Sequence, residues 1–160
     1  MRPELLNNVK NACASAEIDE SAYGVDPVAR YMRAALQMVG LKATPQRLAL
    51  CNLLFIAGDR HVTAEMLSRE ASVMGLPLTP KSIKATLREF VGARLLREIA
   101  LYGATIWYDT NTGSHFHFYD EDAKRLFDMP ESMIPLLDLP DLSDIKLVGV
   151  DLIVRIDRKP

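Results

Sequence analysis

At 160 residues, with 49% hydrophobic and 25% charged positions, the chain has enough apolar material for a folded core in one large or two small domains. No apolar run approaches the roughly 18 residues needed to cross a bilayer, and Met1-Arg2-Pro3-Glu4-Leu5 lacks the apolar stretch of a signal peptide. The expectation is a cytoplasmic protein with no membrane partner, and with only Cys13 and Cys51 it has neither a disulfide framework nor a four-cysteine zinc site.

The net charge of −2 conceals a segregation. Residues 1–26 carry two basic and five acidic side chains, residues 27–108 eleven and five, and residues 109–160 six and eleven. A basic middle beside an acidic C-terminal part suits a nucleic-acid-binding unit joined to something else.

Residues 1–25 are polar, rich in small residues and weakly periodic, which predicts a mobile or loosely helical arm. Regular punctuation follows. Asp26-Pro27, Thr44-Pro45 and Thr79-Pro80 each set a capping side chain before a proline at the first helical position. Thr63 caps a further helix. Gly40, Gly58, Gly75 and Gly92 stand where helix C-termini favour glycine. The spacing predicts helices over 27–39, 45–57, 64–74 and 80–92. Their core stripes are Leu50, Leu53, Leu54 and Ala57, then Ala64, Leu67, Ala71 and Met74, then Ile83, Leu87, Phe90 and Val91. Cys51 falls on an inner face as an inert buried thiol.

After Gly92 the period changes. Leu96, Glu98 and Ala100 alternate, Tyr102-Gly103 punctuates, and Thr105-Ile106-Trp107-Tyr108 is strongly β-prone. Helices followed by a small hairpin predict a winged helix-turn-helix with the fourth helix in the recognition position. Asp109-Thr110-Asn111-Thr112-Gly113 reads as a hinge. Strands are expected at 115–119 and 124–128 around the acidic turn Asp120-Glu121-Asp122, a short helix at 130–137, and a long strand from Ile145 to Ile156. So small a piece buries little surface alone, and a dimerisation module is the economical reading. The fold class is α+β: an arm at 1–25, a winged-helix domain at 26–109, a hinge at 110–114, and a small α/β dimerisation and metal-sensing domain at 115–160.

All three histidines draw attention. His115 and His117 lie two apart in a predicted strand, so both imidazoles reach one point. His61 lies far back, in a predicted loop before a helix. Asp109 and Asp128 flank the pair. Such donors suit Fe(II), Mn(II) or Zn(II).

From Gly40 onward the chain resembles the Fur family of metal-dependent repressors. The likeness rests on Gly40-Leu41-Lys42-Ala43-Thr44-Pro45-Gln46-Arg47, His61-Val62-Thr63-Ala64-Glu65-Met66-Leu67, Gly92-Ala93-Arg94-Leu95-Leu96 and Tyr108-Asp109-Thr110-Asn111, in order at compatible spacing over residues 30–157. Within that family the chain looks most like the iron-response regulators, Irr, of α-proteobacteria. That likeness rests on Leu54-Phe55, Arg60 to Leu67, Asp109-Thr110-Asn111 and Ile145 to Arg158. The resemblance implies a homodimer, iron-linked repression, and a regulatory site of His61, Asp109, His115, His117 and Asp128. That donor set favours Fe(II) or Mn(II), with Zn(II) as the further candidate ion. Haem is the alternative ligand. Three departures stand out. Ser114-His115-Phe116-His117 replaces three consecutive histidines, Cys13 is followed by Ala14 rather than the proline of a haem-regulatory motif, and Ser82-Ile83-Lys84 replaces Thr-Val-Tyr in the recognition helix.

Contacts to a double-stranded operator are expected from Lys42 and Arg47 near the second helix, and from Lys81, Lys84 and Arg88 on the fourth, with Ser82 and Thr86 as minor contributors. Lys84 and Arg88 stand four apart on one face. A rival reading is a metalloenzyme using two histidines and a carboxylate, but no general base stands beside the site. A second rival is a family member that dimerises and binds DNA without metal.

Overall fold

In a computed structural model the described residues are 27–101, 105–133 and 152–157. They fall into two units that divide between Thr112 and Gly113. The predicted arm at 1–25 and most of the strand predicted from Ile145 lie outside the described residues.

Among the described residues the first unit has four helices: α1 (Pro27–Met38), α2 (Pro45–Phe55), α3 (Ala64–Val73) and α4 (Pro80–Gly92). Their starts follow from local chemistry. Thr44 Oγ1 accepts the Arg47 N–H at 3.3 Å and Thr63 Oγ1 accepts the Met66 N–H at 3.2 Å. Thr79 and Ser82 form a reciprocal capping box, with Oγ–N distances of 3.1 and 2.9 Å. Each such cap contributes about 1 kcal/mol.

Three short strands complete the unit: β1 (His61–Thr63), β2 (Arg97–Ala100) and β3 (Ile106–Asp109). They form an antiparallel sheet in the order β1-β3-β2. The predicted hairpin is therefore two strands of a three-stranded sheet. His61 stands in β1, directly opposite Asp109, and not in a loop. The core joins Met32 and Leu36 of α1, Leu50, Leu53 and Leu54 of α2, Leu67 and Ala71 of α3, and Ile83, Leu87 and Phe90 of α4. Two predicted core positions fail. Ala57 lies past the end of α2, and Met74, at the end of α3, is 63% exposed. The periodic pattern ran on where the helices had stopped. Cys51 is buried, and burial pushes its thiol pKa up to about 12, so the thiolate is scarcely populated at neutral pH.

The helix ends hold one surprise. Gly40 and Gly75 take left-handed φ values of 78° and 64°, as C-terminal glycines should. Gly92 does not: it is the last helical residue, and Arg94 takes the left-handed turn at φ 58°. The Leu95 N–H closes that turn onto the Phe90 carbonyl at 2.8 Å. A Cβ at Gly92 would meet nothing within 4 Å. Gly92→Ala is thus expected to raise stability by roughly 0.5–1 kcal/mol, and Arg94→Gly by a similar amount, read as shifts in the urea midpoint. A destabilised Gly92→Ala protein would refute this reading of the turn.

The second unit holds β4 (His117–Asp120), β5 (Arg125–Asp128) and β6 (Ile153–Ile156) in the order β5-β4-β6. β5 runs antiparallel to β4, and β6 runs parallel to it. The turn into β5 places Lys124 at φ 49°, and Asp120 Oδ1 accepts the Ala123 N–H at 2.8 Å. The helix expected at 130–137 is a single 3-10 turn over Glu131–Met133, with its remainder outside the described residues.

Candidate functional site

In the first unit the pairing of β1 with β3 sets His61 across from Asp109, with Nε2 and Oδ2 3.6 Å apart. Asp109 is fully buried. Its other oxygen, Oδ1, accepts the Asn111 N–H at 2.7 Å, which turns Oδ2 toward the imidazole.

In the second unit the register of β4 and β5 sets His117 across from Asp128, with Nε2 and Oδ1 3.8 Å apart. His115 lies just before β4, not within it, so the pair does not converge by simple alternation along a strand. It converges because His115 Nδ1 lies 3.0 Å from the Gly113 carbonyl and Nε2 lies 3.1 Å from the same Asp128 oxygen. The two rings stand edge to face with centroids 4.4 Å apart. A carbonyl only accepts, so Nδ1 carries the proton and the Nε2 lone pair is left for a Lewis acid. One donor atom from each of His115, His117 and Asp128 lies within 4.8 Å of the others.

These separations have chemical meaning. Donors held about 2.1 Å from one ion stand about 3.0 Å apart at the corners of an octahedron and about 3.4 Å apart in a tetrahedron. Nitrogen–oxygen gaps of 3.6 and 3.8 Å exceed a hydrogen bond and lie close to the edge of a coordination polyhedron. Within each unit the donor types and gaps suit a divalent ion: imidazoles supply nitrogen and the carboxylates supply charge.

The residues expected to touch nucleic acid are placed as follows. Lys81, Lys84 and Arg88 are exposed on α4, and Lys42 is exposed in the turn before α2. Lys84 pairs with Glu65 of α3 at 3.4 Å, both side chains being more than half exposed. The Glu65 backbone N–H, and then Lys84, hold that carboxyl below its usual range, so the pair persists across neutral pH. Such a surface pair contributes only about 0–1 kcal/mol, and a phosphate readily displaces it. Arg47 is differently engaged. Its Nε and Nη2 both lie 3.0 Å from Glu89 Oε2 of α4, and Nη1 donates to the Lys42 carbonyl at 2.7 Å. Ser82 is occupied in the capping box. Thr86 is buried.

Residues not singled out from sequence surround the first pair of donors. Arg60 and Thr110 are the chain neighbours of His61 and Asp109, and they bond to each other through backbone and side chain. Glu70 of α3 receives the Arg60 guanidinium. The basic residue beside His61 was their only signal in the sequence.

The ferric uptake regulator family matches residues 38–139. The chain is 27% identical over 95 residues to the peroxide-responsive repressor PerR of Staphylococcus aureus, covering 59% of this chain and 64% of that protein. It thus spans less than two thirds of the length of that relative. The ferric uptake regulator of Vibrio cholerae is similar in structure, with a TM-score of 0.64, 17% identity, and cover of 79% of this chain and 98% of that one. The ferric uptake regulator of Pseudomonas aeruginosa, solved with manganese, gives a TM-score of 0.62 at 18% identity over 81% and 98% of the two chains. At these identities the likeness to solved structures speaks for the α+β fold.

Proposed function

The chain belongs to the ferric uptake regulator family, and from that premise we propose that it is a homodimeric, metal-responsive DNA-binding transcription regulator of the cytoplasm, not an enzyme. Among the described residues no helix is long and apolar enough to cross a membrane. The observation that carries the metal assignment is the Nε2 atoms of His115 and His117 turned onto one Asp128 oxygen. The metal centre proposed is His61, Asp109, His115, His117 and Asp128. Three nitrogens and two carboxylate oxygens favour Fe(II) or Mn(II) over Zn(II), which prefers four donors. The manganese in the P. aeruginosa relative is consistent with that preference. When bound, the ion would supply a fixed positive centre, with nitrogen from His61, His115 and His117 and oxygen from Asp109 and Asp128. Asp109 and Asp128 balance its charge. The Gly113 carbonyl holds the His115 tautomer, and the Asn111 N–H holds the Asp109 carboxylate. Because the donors come from both units, occupancy favours one arrangement of them over others, and DNA affinity shifts by the difference in metal affinity between those arrangements.

The regulated genes are proposed to be those of iron homeostasis, in the manner of the iron-response regulators. An ion is favoured over haem because both imidazoles of the pair face a hard carboxylate oxygen. Dimerisation is supported by the small size of the second unit and by the exposure of Phe127 and Met133. The DNA face is proposed to be Lys81, Lys84 and Arg88 of α4 with Lys42, while Arg47 and Ser82 brace the elements that present them.

This reading is tested by binding to DNA from the protein's own promoter region, with Mn(II) and with chelator. Affinity should depend on Mn(II). Lys84→Ala and Arg88→Ala should each weaken binding by about 1–3 kcal/mol at low salt if they reach bases, and less if they meet only phosphates. Each should also flatten the salt dependence by about one unit of slope. Two variants that bind like the parent at low salt would move the DNA face elsewhere.

A further inference from the structure

His61, across the ladder from Asp109 of β3, sits on a strand of three residues, too short for the ladder alone to hold a side chain rigidly. Beyond the end of the ladder the pairing continues by other means. The Arg60 N–H donates to Thr110 Oγ1 at 2.8 Å, and the Thr110 N–H donates back to the Arg60 carbonyl at 3.1 Å. Thr110 is fully buried, and its hydroxyl also lies 3.5 Å from Asp59 Oδ1. One threonine therefore locks the residue before His61 to the residue after Asp109.

Arg60 carries that lock to the helices. Its Nη2 and Nη1 reach the two Glu70 oxygens of α3 at 2.6 and 3.0 Å, and Nη1 also donates to the Leu53 carbonyl of α2. Leu53 contributes one of the last four carbonyls of α2, which have no partner within the helix and which attract a cation. With side chains only 21% and 34% exposed, this two-pronged pair is firmer than the surface pair of Lys84 and Glu65. Neighbours along an extended chain point to opposite faces. The guanidinium is thus anchored on the helical side, and the imidazole of the next residue is left to face Asp109.

We propose that Thr110, Arg60 and Glu70 are positioning residues for the His61–Asp109 half of the metal centre, tying it to α2 and α3 of the helix-turn-helix. The proposal rests on the metal-centre reading above. None of the three touches the ion. They fix where His61 and Asp109 stand, and they give occupancy a mechanical path to α2 and α3, which share one core with α4, the helix of the proposed DNA face.

The experiment is calorimetric titration of the full-length dimer with Mn(II), alongside Mn(II) electron paramagnetic resonance of the loaded protein. Thr110→Val keeps the shape and removes the hydroxyl, and should lower Mn(II) affinity by about 10- to 100-fold. Thr110→Ser restores the hydroxyl and should bind nearly as the parent does. Glu70→Gln keeps the size, frees the guanidinium, and should weaken Mn(II) binding with an altered resonance spectrum. If Thr110→Val fails to fold, the Glu70→Gln titration decides. Folded Thr110→Val and Glu70→Gln proteins that bind Mn(II) as tightly as the parent, with the parent's spectrum, overturn the clamp and leave the metal centre standing. A parent that binds no Mn(II) overturns the metal-centre reading, and the clamp with it.

Discussion

Replacing His117 with alanine is expected to lower Mn(II) affinity by at least about 100-fold, since a lost donor costs more than the 10- to 100-fold typical of its supporting neighbours. His61→Ala should do the same, although His61 lies far away in sequence and in the other unit. In His117→Ala, Asp128 loses one of the two imidazoles turned on it. In His61→Ala, Asp109 loses the donor across the ladder. In both, the two carboxylates still balance the charge of the ion, but it is left with two nitrogen donors where the parent offers three. The proposed dimer should persist, because neither imidazole belongs to the apolar surface of the second unit, and DNA binding should lose most of its dependence on metal. Titration calorimetry and a DNA-binding isotherm with and without Mn(II) check this. An unchanged affinity in His61→Ala beside an abolished one in His117→Ala would confine the site to His115, His117 and Asp128, where a haem iron becomes the better occupant.

The second large effect concerns the fold. Phe90 is fully buried among the helices of the first unit, and its carbonyl receives the Leu95 N–H that turns the chain out of α4. Phe90→Ala removes a ring from the centre of a close-packed core and should cost about 3–5 kcal/mol. That is a large share of the 5–15 kcal/mol typical of a domain. The expected outcome is a thermal midpoint lowered by roughly 10 °C or more, with Phe90→Leu recovering much of the loss. A Phe90→Ala protein as stable as the parent would mean that α4 is not packed as described.

The helices were legible because their punctuation is local. Thr44-Pro45 and Thr79-Pro80 specify a start within a few residues, and the starts of α2, α3 and α4 fall where that chemistry puts them. What escaped was non-local or conditional. β1 exists only through pairing with β3, so nothing in its three residues distinguishes it from a loop. Arg94 displaced Gly92 from the left-handed turn because the helix runs through Gly92, a boundary that composition does not resolve. Arg47 and Lys84 looked alike as basic residues on helices, yet one is held by Glu89 and a carbonyl and the other by a single exposed carboxylate. The donors themselves were legible as residue types. Their orientation was not, since it depends on the Gly113 carbonyl and the Asn111 N–H.

The central claim is that His61 and the pair His115 and His117 hold the same ion. X-ray absorption of the Mn(II)-loaded dimer measures this by counting imidazoles from their multiple-scattering signature. The account predicts three in the parent and two in His61→Ala. Two in both proteins, with unchanged bond lengths, would contradict it.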